Sequence, residues 1–172
     1  MDAVPLRLEH FVFDNRFPSA VAVAHHAARA GAHLAGISGD LTALWYDTLD
    51  LAWRKDPTAL AGVTTRQGLF VLETLAADHR MRVVYRGLHA APEGGVIAHG
   101  LTGPAELIAR VRATSDTAEW APFVARAIMQ CPVGASKAAT LAMATLADPE
   151  PARTEPLVSW IIAPRSAVAL TA

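Results

Sequence analysis

Three times before Gln67, a short run rich in apolar or β-branched residues stops at polar residues, and a stretch of helical length follows. His10-Phe11-Val12-Phe13 runs into Asp14-Asn15-Arg16, the run from Ala32 to Ser38 into Gly39-Asp40, and Leu60-Ala61-Gly62-Val63 into Thr64-Thr65-Arg66. No other feature restricts the fold as strongly. Antiparallel neighbours need only a tight turn, whereas parallel strands need a crossover of a dozen or more residues, usually a helix. Strand, helix, strand, helix in this rhythm predicts a parallel sheet with helices packed on it.

Local signals place the elements. Pro18 suits a first helical turn, where its missing N–H costs nothing, and Gly31 stops that helix. Asp40 is placed to cap a helix running to about Arg54, ended by Asp56-Pro57. Thr64 and Gln67 have capping-box spacing for a helix from Thr65 to His79. Met81 to Arg86 reads as a fourth strand.

The rhythm then changes. Gly94 to Leu101 follows the fourth strand through a Pro/Gly turn with no room for a crossover helix, so it is expected to pair antiparallel. Helices are expected over about Pro104–Thr114, Thr117–Gln130 and Ser136–Leu146. A charged, proline-bearing link from Asp148 to Pro156 then delivers a last strand, Leu157 to Ala163, apolar on both faces. At 172 residues the chain fits a single α/β domain over 1–172. The expected fold is a three-layer sandwich with a mixed, mainly parallel sheet. Its first four strands are parallel, and the antiparallel additions fall in the C-terminal half.

Parallel strands leave their C-terminal ends side by side, and each of the first three is followed at once by a helix start. Ligands of open α/β sheets bind at this edge, because helix N-termini offer unpaired N–H groups and a partial positive field. The candidate ligand-binding residues are therefore Asp14, Asn15, Arg16, Asp40, Thr42, Thr64, Thr65 and Arg66. Arg16 and Arg66 would anchor a carboxylate or phosphate, and Asp14 and Asp40 would meet a hydroxyl or amine, or act as a base. The competing reading is local: Asp, Asn, Ser and Thr after a strand are favoured as caps and turn formers whether or not anything binds.

Other chemistries find little in the sequence. Lys and Arg number 15 against 16 Asp and Glu, a formal charge of -1, and no basic run occurs, so nucleic acid is not an expected partner. Cys131 is the single cysteine, which excludes an internal disulfide and a multi-cysteine metal site. It stands at an expected helix end, where the dipole disfavours a thiolate. His25 and His26 sit mid-helix, and no His-x-x-x-His pair marks a metal site. His89 and His99 flank the expected antiparallel turn, either facing each other or lying on the surface. Asp47 and Asp50 read as solvated surface, with Asp50 four residues before Arg54. Leu41, Leu44, Trp45, Thr48 and Ala52 form the expected core stripe of that helix.

No Gly-x-Gly-x-x-Gly or Gly-Lys-Ser/Thr phosphate loop is present, and no cofactor is expected. The start Met1-Asp2-Ala3-Val4-Pro5 lacks the layout of a secretory signal, and no apolar run is long enough for a membrane span. A cytoplasmic location is the resulting expectation. Charged residues make up only 18% and hydrophobic ones 52%, so some apolar surface is expected to meet another chain, in a homo-oligomer or with a partner protein.

The alternation resembles the flavodoxin-like layout. The resemblance covers layout alone, because Asp14-Asn15-Arg16 replaces the Ser/Thr-rich phosphate loop that a flavin carrier needs after its first strand. Two functional classes follow. One is a small-molecule-binding domain or enzyme with an anionic or polar metabolite at the strand ends. The other is a non-catalytic subunit docked onto a larger assembly. Buried Trp53 and Trp160, with an open pocket beside Asp14, would favour the first; exposed aromatics and a filled pocket would favour the second.

Overall fold

The computed structural model describes residues 6–113, 119–146 and 153–171. The first half holds β1 (Leu8–Asp14), α1 (Pro18–Arg29), β2 (His33–Ile37), α2 (Thr42–Leu44), a π turn (Trp45–Leu49), α3 (Asp50–Lys55), β3 (Ala59–Thr65) and α4 (Arg66–Ala77). The second half holds β4 (Met81–His89), β5 (Val96–Pro104), α5 (Ala105–Ala113), α6 (Trp120–Met129), β6 (Gly134–Leu146), β7 (Leu157–Pro164) and β8 (Val168–Thr171). Residues 1–5, the expected helix boundaries at 114 and 117, and residues 148–152 of the expected link lie outside the described residues.

All strands join one eight-stranded mixed sheet in the order β2-β1-β3-β7-β4-β5-β6-β8. The expectation of four parallel strands holds for three of them: β1 pairs parallel with both β2 and β3. β7 then enters between β3 and β4, antiparallel to each, so β4 has no parallel partner. The reason lies in β7 itself. Leu157 to Ala163 are buried on both faces, which only an interior position provides. β5 pairs antiparallel with β4, and β6 antiparallel with β5.

The largest correction concerns Ser136–Leu146, expected as a helix and found within the strand β6. Alanine and leucine favour helix in isolation, but propensity is a weak prior when a neighbouring strand offers a full ladder. Ala139, Leu141 and Met143 pack against the core, while Ala138, Thr140, Ala142 and Ala144 are exposed. That alternation is the period of a strand. β8, absent from the sequence reading, pairs parallel with the start of β6.

Two cores flank the sheet. On one face Phe11, Ala61, Tyr85, Ile97, Leu101 and Ile161 pack beneath α1, α5 and α6. On the other Val12, Leu60, Val158, Trp160 and Ile162 pack beneath the α2–α3 segment and α4. Neighbouring residues of β3 and β7 point to opposite cores, as period 2 requires.

The segment from Thr42 to Lys55 buries Trp45, Leu49 and Trp53, together with Leu41 just before it, rather than the expected stripe through Leu44, Thr48 and Ala52. Steps of four residues drift around an α-helix of 3.6 residues per turn, and the wider π turn takes up that drift. Trp45 and Trp53 meet edge to face at 5.9 Å, and His79 closes on both. Asp50 pairs with Arg54 at 2.8 Å and also meets His79 Nε2 at 3.2 Å. The helix cap before α4 is Thr65, whose hydroxyl accepts from the Gly68 N–H; Thr64, expected in that role, is used elsewhere.

Candidate functional site

Register brings the first three strand ends together. Asp14 pairs with Ile37 across β1 and β2, and Phe13 pairs with Val63 across β1 and β3. The three trailing loops therefore share one rim, and the Asn15 N–H donates to the Ile37 carbonyl to tie two of them. A cavity of about 580 Å³ opens at this rim. Its polar side is made by Arg16, Ser38, Asp40, Thr42, Thr65 and Gln67. Its apolar side is made by Leu41, Trp45, Tyr46, Val71 and Leu75, from the segment after β2 and from α4.

Four of the eight sequence candidates line this cavity: Arg16, Asp40, Thr42 and Thr65. The other four do not. Asp14 is buried under Arg16 and binds it in bidentate fashion, accepting from Nε at 2.9 Å and from the second guanidinium nitrogen at 2.7 Å. Its carboxylate also accepts from the Arg16 backbone N–H at 3.2 Å. Asn15 accepts from the Ser38 hydroxyl at 2.8 Å and so pins the first loop to the second. Thr64 is buried, accepts from the Trp160 indole N–H at 3.0 Å and donates to the Thr65 carbonyl. Arg66 lines a second cavity of about 430 Å³ with Phe70, Glu73, Arg86 and Thr102.

This arrangement changes what the two arginines can do. Arg66 is not in the cavity at the strand ends. Arg16 is half-exposed, but its charge is matched by a buried carboxylate in a fork-to-fork pair, which leaves part of the guanidinium edge for a ligand. Donating its hydrogen bonds to Asp14 holds the Arg16 pKa above its ordinary value, so the group stays charged. Asp40 is exposed and has no ion pair among the described residues. Hydrogen bonds from the Thr42 hydroxyl and N–H hold its carboxyl below the ordinary carboxylate value. Asp40 is thus the unmatched charge of the rim.

Gly39 makes this geometry possible. Its φ of 82° lies in the left-handed region, and a Cβ there would stand 2.6 Å from Arg16 Cζ. Gly39→Ala is therefore expected to push the guanidinium off its seat and to lower stability by about 1–2 kcal/mol. A chemical denaturation curve, together with the NMR shift of the Arg16 Nε–H, would check it. An unmoved Nε–H resonance would contradict the close approach.

The sequence reading did not pick out Tyr46, Gln67, Val71 and Leu75 as cavity walls. Gln67, Val71 and Leu75 stand at four-residue steps on α4, a helical face that sequence could have shown. Their pairing with Tyr46 across the rim depends on tertiary packing.

Away from the rim, His89 and His99 are opposite each other on β4 and β5 and are buried, contrary to a surface placement. Their Nδ1 atoms are 2.8 Å apart. His89 Nε2 is 2.7 Å from Ser159 Oγ, and His99 Nε2 is 2.8 Å from Thr145 Oγ1. Trp120 lies against both rings. Both imidazoles are thus part of the buried interior beneath Trp120. Cys131 is likewise buried, and burial pushes its thiol pKa up to about 12. Among the described residues no group of three His, Cys, Asp or Glu side chains could hold a metal ion. No described helix is long and apolar enough to cross a membrane.

Fold and rim together define an α/β protein with a mixed sheet and a half-polar, half-apolar pocket where its parallel strands end. Comparison of the chain with known protein families, curated proteins and solved structures finds no match.

Proposed function

We propose that the chain is a single small-molecule-binding α/β domain that holds a polar metabolite at the C-terminal ends of its parallel strands. The observation that carries this reading is the two-sided cavity of about 580 Å³, within the size range of ligand sites, with polar groups converging from three loops. The burial of Trp53 and Trp160, together with an open cavity at the strand ends, also favours it. Asp40 suits a ligand amine or hydroxyl. The free edge of Arg16 suits a carbonyl or carboxylate, and Tyr46 and Val71 suit an apolar or aromatic portion. An anion held by Arg16 together with Arg66 is less well supported, because the two line different cavities.

A ligand-observed NMR screen of small polar metabolites would supply the probe. Asp40→Asn and Tyr46→Ala are then expected to weaken the hit about tenfold each, the effect of one charge-assisted hydrogen bond or one aromatic wall. Arg66→Ala is expected to leave its affinity unchanged. Unaltered affinity in both Asp40→Asn and Tyr46→Ala would reject this site.

A second reading, an accessory subunit that docks onto a larger assembly, is supported by the exposure of Tyr46, Leu51 and Phe70, between 57% and 70%. Retention of a partner protein through Phe70, lost in Phe70→Ser with the cavity variants silent, would favour it instead.

A further inference from the structure

β6 is the longest strand of the sheet at 13 residues, and its two sides are treated differently. On one side β5 runs along it without a register shift from Pro104↔Ala138 to Val96↔Leu146. On the other, β8 covers only Gly134 to Lys137. Residues 138–146 therefore present an outer side with no strand partner among the described residues.

An open edge of this kind is a row of unpaired N–H and C=O groups, ready to template another strand. Natural proteins blunt such edges with lysine, proline, bulges or short length. This one has none of them. The run from Ala138 to Leu146, "AATLAMATL", holds no charge and no proline, and its ladder to β5 is unbroken. Its inner row, Ala139, Leu141 and Met143, is only partly buried and packs at the margin of the core under α5 and α6. Its outer row, Ala138, Thr140, Ala142 and Ala144, is small and exposed.

We infer that this edge is the interface of a homodimer, in which β6 pairs antiparallel with β6 of a second copy and the sheet continues across a two-fold axis. The occupant follows from the edge itself. A covering strand must bring an open, uncharged edge of similar length, and β6 supplies one. Two-fold pairing sets the inner rows of the copies side by side, so Leu141 and Met143 extend each other's core. No like charges meet within 138–146. The opposite edge of the sheet, β2, is five residues long. Pairing β6 with β2 of another copy would be head to tail and would propagate, whereas the isologous pair closes. This inference is independent of the ligand reading, since the strand-end cavity contains no β6 residue.

The test uses the full chain. Light scattering after size exclusion is expected to give twice the chain mass. Thr140→Lys combined with Ala142→Lys, both exposed on the outer row, is expected to halve that mass with the circular dichroism spectrum unchanged. Hydrogen exchange of the unaltered protein gives a second readout: amides over 138–146 are expected to lose protection on dilution, while those of β3 and β7 keep theirs. A monomer at the highest soluble concentration would overturn the inference. So would a dimer that survives both lysines, exchange over 138–146 that does not respond to dilution, or a foreign chain found on the edge.

Discussion

Unfolding free energy is expected to fall by about 4 kcal/mol between about pH 7.5 and about pH 5, because two imidazoles are locked neutral in the core. The Nδ1 atoms of His89 and His99 are 2.8 Å apart, a hydrogen bond only if one of them carries a proton and the other does not. Donor and acceptor roles run consistently in one direction. Thr145 donates to His99 Nε2, and His99 Nδ1–H donates to His89 Nδ1; His89 Nε2–H then donates to Ser159, and Ser159 to Tyr85. A further proton would set donor against donor.

Burial lowers the pKa of His89 well below its usual value, helped by His99 and by the Arg153 guanidinium, which donates to the His89 carbonyl. Burial, again with Arg153, lowers that of His99 to about 4. Both native values lie below those of the unfolded chain, so the unfolded state takes up protons first as pH falls. The stabilisation is complete above the ordinary histidine value and is lost on acidification, at up to about 1.4 kcal/mol per pH unit for each imidazole. Urea unfolding at several pH values would measure the slope, and His99→Gln is expected to halve it. A slope that His99→Gln leaves intact would place the titration elsewhere.

Gly62→Ala is expected to destabilise the protein by about 3 kcal/mol or more, the upper range of overpacked cores. Gly62 lies in β3 opposite Val12 of β1, where a Cβ would fall on the Val12 carbonyl oxygen and within 2.8 Å of the Trp160 ring. Neither neighbour can yield. The carbonyl belongs to β1, which is held by strands on both sides, and the indole is fully buried and fixed by its bond to Thr64. For a chain of this size the loss corresponds to a fall in Tm of roughly 6–12 °C. Calorimetry showing a Tm within a degree of the parent would mean that β1 and β3 do not approach as described. The same variant bears on the rim, because β3 carries Thr65 to the cavity.

Legibility differed from element to element for physical reasons. The first three strands and their crossover helices were readable because each short strand run is closed by polar residues and followed by a stretch of helical length ended by Gly or Pro, even though β2 buries only Ile37 while β3 is buried throughout. β6 was not, because Ala138 to Leu146 satisfies helix propensity while its strand periodicity rests on small differences between alanine, leucine and methionine. The position of β7 was foreshadowed by Leu157 to Ala163, apolar on both faces, yet its neighbours were not. At the rim, Arg16, Asp40, Thr42 and Thr65 were legible from strand-end position. Tyr46, Val71 and Leu75 belong to helical segments that meet the rim only after packing. Arg66 sits beside Thr65 in sequence but starts α4 and lines a separate cavity, a difference of direction that spacing does not encode.

Sequence by itself determined the parallel β1-β2-β3 unit and the polar composition of its trailing loops, since alternation, caps and breakers act over neighbouring residues. Tertiary structure alone decided that β7 separates β3 from β4, that β6 is a strand laid along β5, and that Asp14 neutralises Arg16 beneath the cavity. It also brought His89, His99, Ser159 and Thr145 into one buried chain. Those outcomes depend on which distant backbones exchange hydrogen bonds and which side chains lose water together, and both are settled only when the whole sheet is assembled.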